Sequence, residues 1–429
     1  MIIHSFFFRQ PLTKASGFLS VWMVGMMLMA CQQSDQPFQS TTPFASDILG
    51  NPQYKAISYG GYRTNMREIQ PSLGEIIEDL KILQALDFKL IRTYNVHFDF
   101  TQNVLKAIKV LKQQNPEFEM YVMLGAWINC KDAWTAQPNH DKEDFRANAL
   151  EISRAVELTQ IYPDIVKIIS VGNEARVRWQ TSYYVQPKVI LDWVNHLQQL
   201  KLENKLPKNL WITSSDDFIS WGGGDPSYHH PDLEKLAAAV DYISMHTYPF
   251  HNTHYNPEFW TSQIQFENQH THRQSIDSAM VRAKKFAVTQ YNNVKSYIKT
   301  LGVVKPIHIG ETGWATQSSG LYGSKGSRAA DEYKQALYFQ LMSDWATQNK
   351  ITCVFFEAFD ESWKNPDDPI HSENHFGLFT IDGKAKFALW EFHDNGTFEN
   401  LSRGKNPIQK TFQGNKKQLF SSVLTPVEK

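Results

Sequence analysis

Two glutamates stand out by type and setting. Glu174 closes VGNE at residues 171–174, and Glu311 sits in GETGW at 310–314. Each ends a short apolar run, and glycine lies close to each. A carboxylate is seldom buried without a partner. Burial raises its pKa unless something compensates. Trp314 places a flat apolar surface beside Glu311, the pairing expected of a sugar site. The plainer reading is an exposed turn glutamate beside a core tryptophan. Two carboxylates brought face to face can break a glycosidic bond. One group protonates the departing oxygen, and the second faces the anomeric carbon.

Elements must deliver that pair to one place. Eight apolar runs recur along the chain: 56–60, 88–94, 120–128, 166–174, 210–216, 240–250, 306–314 and 351–361. Longer helical patterns separate most of them. The runs are continuously apolar rather than alternating, which marks parallel strands covered on both faces. Eight such units predict an α/β fold, a closed (β/α)8 TIM barrel forming a single catalytic domain. A doubly wound open sheet is the rival, but no GxGxxG follows the first run.

Active sites of such barrels lie where strands end. The residues at the eight ends are Tyr59 and Arg63, Arg92 and Tyr94, Trp127, Asn173 and Glu174, and Asp216 and Asp217. They continue with His246 and Tyr248, Glu311 and Trp314, and Glu357 and Glu361. Strands four and seven can present Glu174 and Glu311 across the bore. Asp216 and Asp217 could serve a groove or cap the following helix.

The 429 residues carry a net charge of −1, which gives no sign of a nucleic-acid partner. Three cysteines do not make a disulfide scaffold. Residues 1–30 read as a signal peptide, with Arg9 and Lys14 before an apolar stretch too short to span a membrane comfortably. The stretch ends LMAC and resembles a bacterial lipobox, which implies lipidation of Cys31. By the same resemblance, Gln32 implies the outer membrane of a Gram-negative cell. Met29 departs from the usual small or β-branched residue. Residues 31–48 are expected as a flexible tether, 49–395 as the catalytic domain and 396–429 as a polar, loosely packed tail. Cys130 and Cys353 are expected as two thiols. His229, His230, His251 and His254 match no zinc spacing. Neither metal nor cofactor is expected, and the chain is expected to act as a monomer.

The ordered motifs resemble glycoside hydrolase family 17, in clan A of retaining barrel enzymes. VGNE and GETGW are similar to its acid/base and nucleophile segments. SYGGYR (58–63), IRTY (91–94), HTYPF (246–250), FDESWK (359–364) and HFGLF (375–379) resemble further segments in the same order. The resemblance implies that Glu311 is the nucleophile and Glu174 the acid/base. It implies that Asn173 bonds the sugar 2-hydroxyl and Tyr248 holds Glu311. Glu361, Lys364 and Glu373 would form a charged cluster after strand eight. Tyr59, Arg63, Arg92, Tyr94, His246 and Trp314 complete the expected substrate site. Glu174 then needs a raised pKa, and Glu311 an ionised state for which Arg92 offers positive charge. A retaining pair stands about 5–5.5 Å apart.

The resemblance also implies β-1,3-glucan as substrate, and internal cleavage is expected. Trp127, Trp134, Trp221, Tyr228, Tyr255, Trp260, Trp314 and Trp363 offer stacking surfaces. About half of them are expected to pack loops onto the barrel instead. The glycine-rich loop 221–230 reads as a groove loop. Alternatives on the same scaffold are a β-1,3-glucanosyltransferase and an exo-acting glucanase. Of another class is a non-catalytic glucan-binding lipoprotein.

Overall fold

Each apolar run becomes one strand of a closed parallel barrel. We number these strands β1 (Lys55–Ser58), β2 (Phe88–Arg92), β3 (Tyr121–Ala126) and β4 (Val166–Asn173). They continue as β5 (Trp211–Asp217), β6 (Ile243–His246), β7 (Ile307–Gly313) and β8 (Cys353–Phe356). Consecutive strands pair, and β8 closes onto β1 with Ala56 opposite Val354 and Ile57 opposite Phe355. That pairing excludes the open sheet. The computed structural model describes residues 42–261 and 271–427, and all but Thr42 belong to one unit, Pro43–Lys429.

Helices cover the outer face. Ser72 caps Leu73–Ala85 in a reciprocal box with Glu75, Asp144 caps Phe145–Ile161, and Thr271 caps His272–Thr300 in a box with Gln274. Strand side chains alternate between bore and helix layer. Ile57, Ile91, Val122, Ile169, Ile212 and Ile309 join the large helix-side core. Ala56, Leu90, Met123, Ile168 and Val354 fill the bottom of the bore with Tyr121 and Tyr242.

Two boundary expectations are corrected. The tether was to run to residue 48, yet Ala45–Ile48 is helical, and Ala45 and Ile48 are fully buried in the bore-side cluster. The tail from 396 was to be loose. Instead Phe398, Arg403, Ile408 and Leu419 are buried. Arg403 anchors that segment by pairing with Asp79, Nε to Oδ1 at 2.9 Å, inside the fold. Scattered lysines made the segment look solvated, whereas its few apolar residues face the barrel. The signal peptide, Cys31 and the tether to residue 41 lie outside the described residues, as does 262–270 within the long insertion after β6.

Candidate active site

Register slips aim both glutamate segments. On β4, Ser170 faces Thr213 but Asn173 faces Ser215, so β4 advances three residues against two. On β7, Ile309 faces Met245 but Glu311 faces His246, two residues against one. The extra residue on β7 is Gly310. A Cβ there would sit 2.1 Å from Ser244 Oγ and 2.5 Å from Ser215 Oγ, so only glycine fits. A one-residue slip exchanges the two faces of a strand. It turns Asn173 and Glu311 into the bore. Glu174 follows with φ +46°, a left-handed backbone uncommon for glutamate, held by its N–H donating to Ser215 O at 3.0 Å.

The two carboxylates then face one space. One oxygen of each lies within 4.8 Å of the other and of a His246 ring nitrogen. Their surroundings differ. Arg92 Nη1 and the Tyr94 hydroxyl each donate to Glu311 Oε2 at 2.7 Å, and the Tyr248 hydroxyl donates to Oε1 at 2.6 Å. Burial pushes the Glu311 carboxyl up. His246, Arg92 and the hydroxyls of Tyr248 and Tyr94 outweigh it and hold the carboxyl below its usual range. Among the described residues, Glu174 has no Lys or Arg partner. Its Oε1 lies 3.1 Å from His246 Nδ1, and Gln180 Nε2 donates to Oε2 at 3.4 Å. Burial, and next the Glu174 carboxylate, push neighbouring Asp217 well above the usual carboxylate range.

Arg92 binds the site together. Nη2 donates to Asn173 Oδ1 at 2.5 Å, Nη1 also to Gly310 O at 2.8 Å, and His246 Nε2 lies 3.2 Å from Nη1. His246 is itself fully buried and 2.7 Å from Ser215 Oγ. It therefore supports the carboxylates from below and is not an exposed sugar contact. Ser58, Ser215 and Ser244 join the site without having been expected there. Their signal was available, since hydroxyls inside apolar strands need partners.

After β8, Lys364 Nζ donates to both Glu357 oxygens at 3.0 Å and lies 3.3 Å from Glu361 Oε2. Burial and Glu361 push the Glu357 carboxyl up, while Lys364 opposes them. Glu373 is partly exposed, with Oε1 3.9 Å from His251 Nε2.

Besides His246, three more expected substrate contacts are corrected. Tyr59 is buried, and its hydroxyl donates to Asp79 Oδ2 at 3.0 Å on the helix side. Arg63 Nη2 pairs with the same Asp79 at 3.0 Å. Trp314 is fully buried, its ring packed edge-on and tilted among Phe250, Trp260 and Tyr338, and its indole N–H donates to Ala329 O at 2.8 Å. Among the other aromatics, Trp221 and Trp260 are also buried, whereas Trp134 and Tyr255 are exposed. The loop 221–230 packs on helix His272–Thr300, where a Cβ on Gly222 would lie 2.2 Å from the Tyr297 ring. Asp216 pairs with Arg176 Nε at 3.2 Å, and Asp217 accepts from Ile219 N at 2.9 Å. The loop histidines go to separate partners: His229 to Gly222 O and His251 to the Tyr322 hydroxyl. Cys130 and Cys353 are free thiols.

Residues 56–377 match the BtgE/BtgC glycoside hydrolase domain. The chain belongs to the BtgE/BtgC glycoside hydrolase family. The family match covers all eight strands except Lys55 of β1, and the Lys364 cluster. The crystal structure of an endo-laminarinase from Formosa Hel1_33_131 has TM-score 0.88 and 57% identity, covering 90% of this chain and 98% of that one. The probable glucan endo-1,3-beta-glucosidase btgC of Aspergillus flavus is 25% identical over 332 residues, 74% of this chain and 40% of that protein. The chain thus spans 40% of the length of the first curated relatives it matches. The glucan 1,3-beta-glucosidase of Schizosaccharomyces pombe is 26% identical over 316 residues, 73% of this chain and 80% of that protein.

Proposed function

We propose that this BtgE/BtgC family member is a family 17, clan A retaining hydrolase that cuts β-1,3-glucosidic bonds within glucans such as laminarin. One observation carries the reading. Two carboxylates share one space within 4.8 Å, one ringed by Arg92 and two tyrosine hydroxyls and one without a Lys or Arg partner among the described residues. Glu311 attacks the anomeric carbon while Glu174 gives its proton to the departing oxygen. The glycosyl group is then held as an ester on Glu311. Glu174 next takes a proton from water, which attacks the same carbon and frees Glu311. Asn173 meets the 2-hydroxyl, and the Glu361–Lys364 cluster with Glu373 meets sugar beyond it. The names of the relatives support β-1,3-glucan as the substrate, and the endo-laminarinase supports internal cleavage.

A time course on laminarin with product sizing tests this. Early release of mixed intermediate lengths is expected. Glucose alone from the start would point to exo action, and products longer than a short starting oligosaccharide would point to transfer.

We also propose that the chain is a monomer anchored through acylated Cys31 in the outer membrane. Fatty-acid labelling of the wild type and of Cys31→Ser tests the anchor. Equal labelling of both would refute it.

A further inference from the structure

A second feature lies past the end of β3. A cavity of about 910 Å3 opens between helices Asp99–Gln114 and Phe145–Ile161, with Trp127 in its wall. Its floor is fixed by Glu151, a buried carboxylate that accepts from Val96 N at 2.6 Å and Trp127 N at 3.0 Å. The same carboxylate lies 3.2 Å from His97 Nδ1. Gln102, Asn129 and the paired Asp99 and Arg154, 2.9 Å apart, give the walls donors and acceptors of both kinds.

An aromatic path joins this cavity to the catalytic strand. The Tyr183 hydroxyl donates to Asn173 O at 3.3 Å, one residue before Glu174. Trp134 stacks on Tyr183 with ring centroids 5.0 Å apart and planes 26° apart. The indole N–H groups of Trp127 and Trp134 both donate to Asn129 Oδ1, at 2.8 and 3.3 Å, which fixes the two rings relative to each other. Trp134 is nevertheless 62% exposed, and Leu150 on the cavity wall is 65% exposed. Large apolar groups held rigid in water beside hydrogen-bonding walls match a pyranose, which has apolar faces and a hydroxyl edge.

We propose that a distal stretch of the bound glucan, beyond the sugars at the catalytic pair, lies across Trp134 and Trp127 and enters this groove. The proposal rests on the glucanase reading and deepens it. It makes chain length a determinant of affinity, because only a long glucan reaches both places.

The test uses Ser153→Trp, which fills the groove from an exposed lining position, and Trp134→Ala, which removes the platform. In a Glu311→Gln background, retention on insoluble linear β-1,3-glucan should weaken roughly tenfold with either change, as expected for loss of a ring contact or its blocked approach. In the active chain, Ser153→Trp should raise KM for long laminarin severalfold and leave kcat/KM on laminaritriose unchanged. Wild-type retention by both variants would overturn the proposal, and so would equal losses on long and short substrates. If the wild type released no sugar, the glucanase reading would fail. The retention measurement would still decide the groove.

Discussion

Arg92 reaches across the bore from β2 and donates to Glu311 on β7 at 2.7 Å, with both side chains buried. The contact ties the charge of Glu311 to a distant strand. Its carboxyl is held below the usual range, so it is ionised above that low pKa and loses its charge as pH falls through it. Arg92→Met removes one of the opposing charges. The acid limb of the kcat/KM profile should therefore move to higher pH. A profile with an unmoved acid limb would remove Arg92 from this role.

Glu174 has no Lys or Arg partner among the described residues, and its side chain is 18% exposed. Its proposed task is to move a proton in both steps. Glu174→Ala should slow hydrolysis of laminarin by about 10²–10⁴-fold. The loss should shrink for an aryl glycoside whose leaving group needs no proton, and added azide should restore turnover. Wild-type turnover by Glu174→Ala would refute the assignment.

The Tyr248 hydroxyl donates to Glu311 Oε1 at 2.6 Å. A hydrogen bond to a charged group is worth about 1.5–3 kcal/mol. Tyr248→Phe should lower kcat by roughly ten- to a hundredfold while the melting temperature stays within a few degrees. A mutant as active as the wild type would show that Arg92 and Tyr94 suffice.

His308 closes the bottom of the bore, where its Nδ1 accepts from Thr352 N at 3.1 Å. Burial pushes its pKa down to about 4. The unfolded chain takes up that proton near pH 6.5. Its contribution is complete above pH 6.5 and is lost as pH falls toward 4, about 3 kcal/mol in all. His308→Asn keeps an acceptor and cannot titrate. The drop in melting temperature between pH 7 and 4.5 should be smaller in this variant, and equal drops would contradict the account.

Asp79 is buried with Arg403, Arg63 and the Tyr59 hydroxyl around it. Arg403→Met leaves that carboxylate short of one cation and should cost about 3 kcal/mol in urea unfolding. Removing residues 396–429 should do more, by exposing the surface that Phe398, Ile408 and Leu419 cover. A truncated chain with wild-type stability would refute this packing.

The eight strands were legible because continuous apolar runs have few other uses. The pair Glu174 and Glu311 was legible because each carboxylate closes such a run. What misled was alternation. Ser58 faces the bore, where its hydroxyl lies 2.8 Å from the Tyr94 oxygen, so Tyr59 must face the helices. Arg92 and Tyr94, two apart, both point in, as do His246 and Tyr248. Trp314 lies three residues past the inward Glu311, and an odd offset puts it on the outer face. Counting offsets from one known inward residue would have sorted these side chains. The slips between Ser170 and Asn173 and at Gly310 defeat that count across them, because nothing in VGNE or IHIGE marks an extra residue. The tail was misread because net polarity hid the few positions that pack.

The short helix Ala45–Ile48 seals the pole of the barrel opposite the strand ends that carry Glu174 and Glu311. The polypeptide thus enters the described body at its base. Coupling the protein through that end to a bead, a carrier domain or a surface should leave the cleft pointing away from the support. A polymer far longer than the enzyme could then approach from the whole open hemisphere.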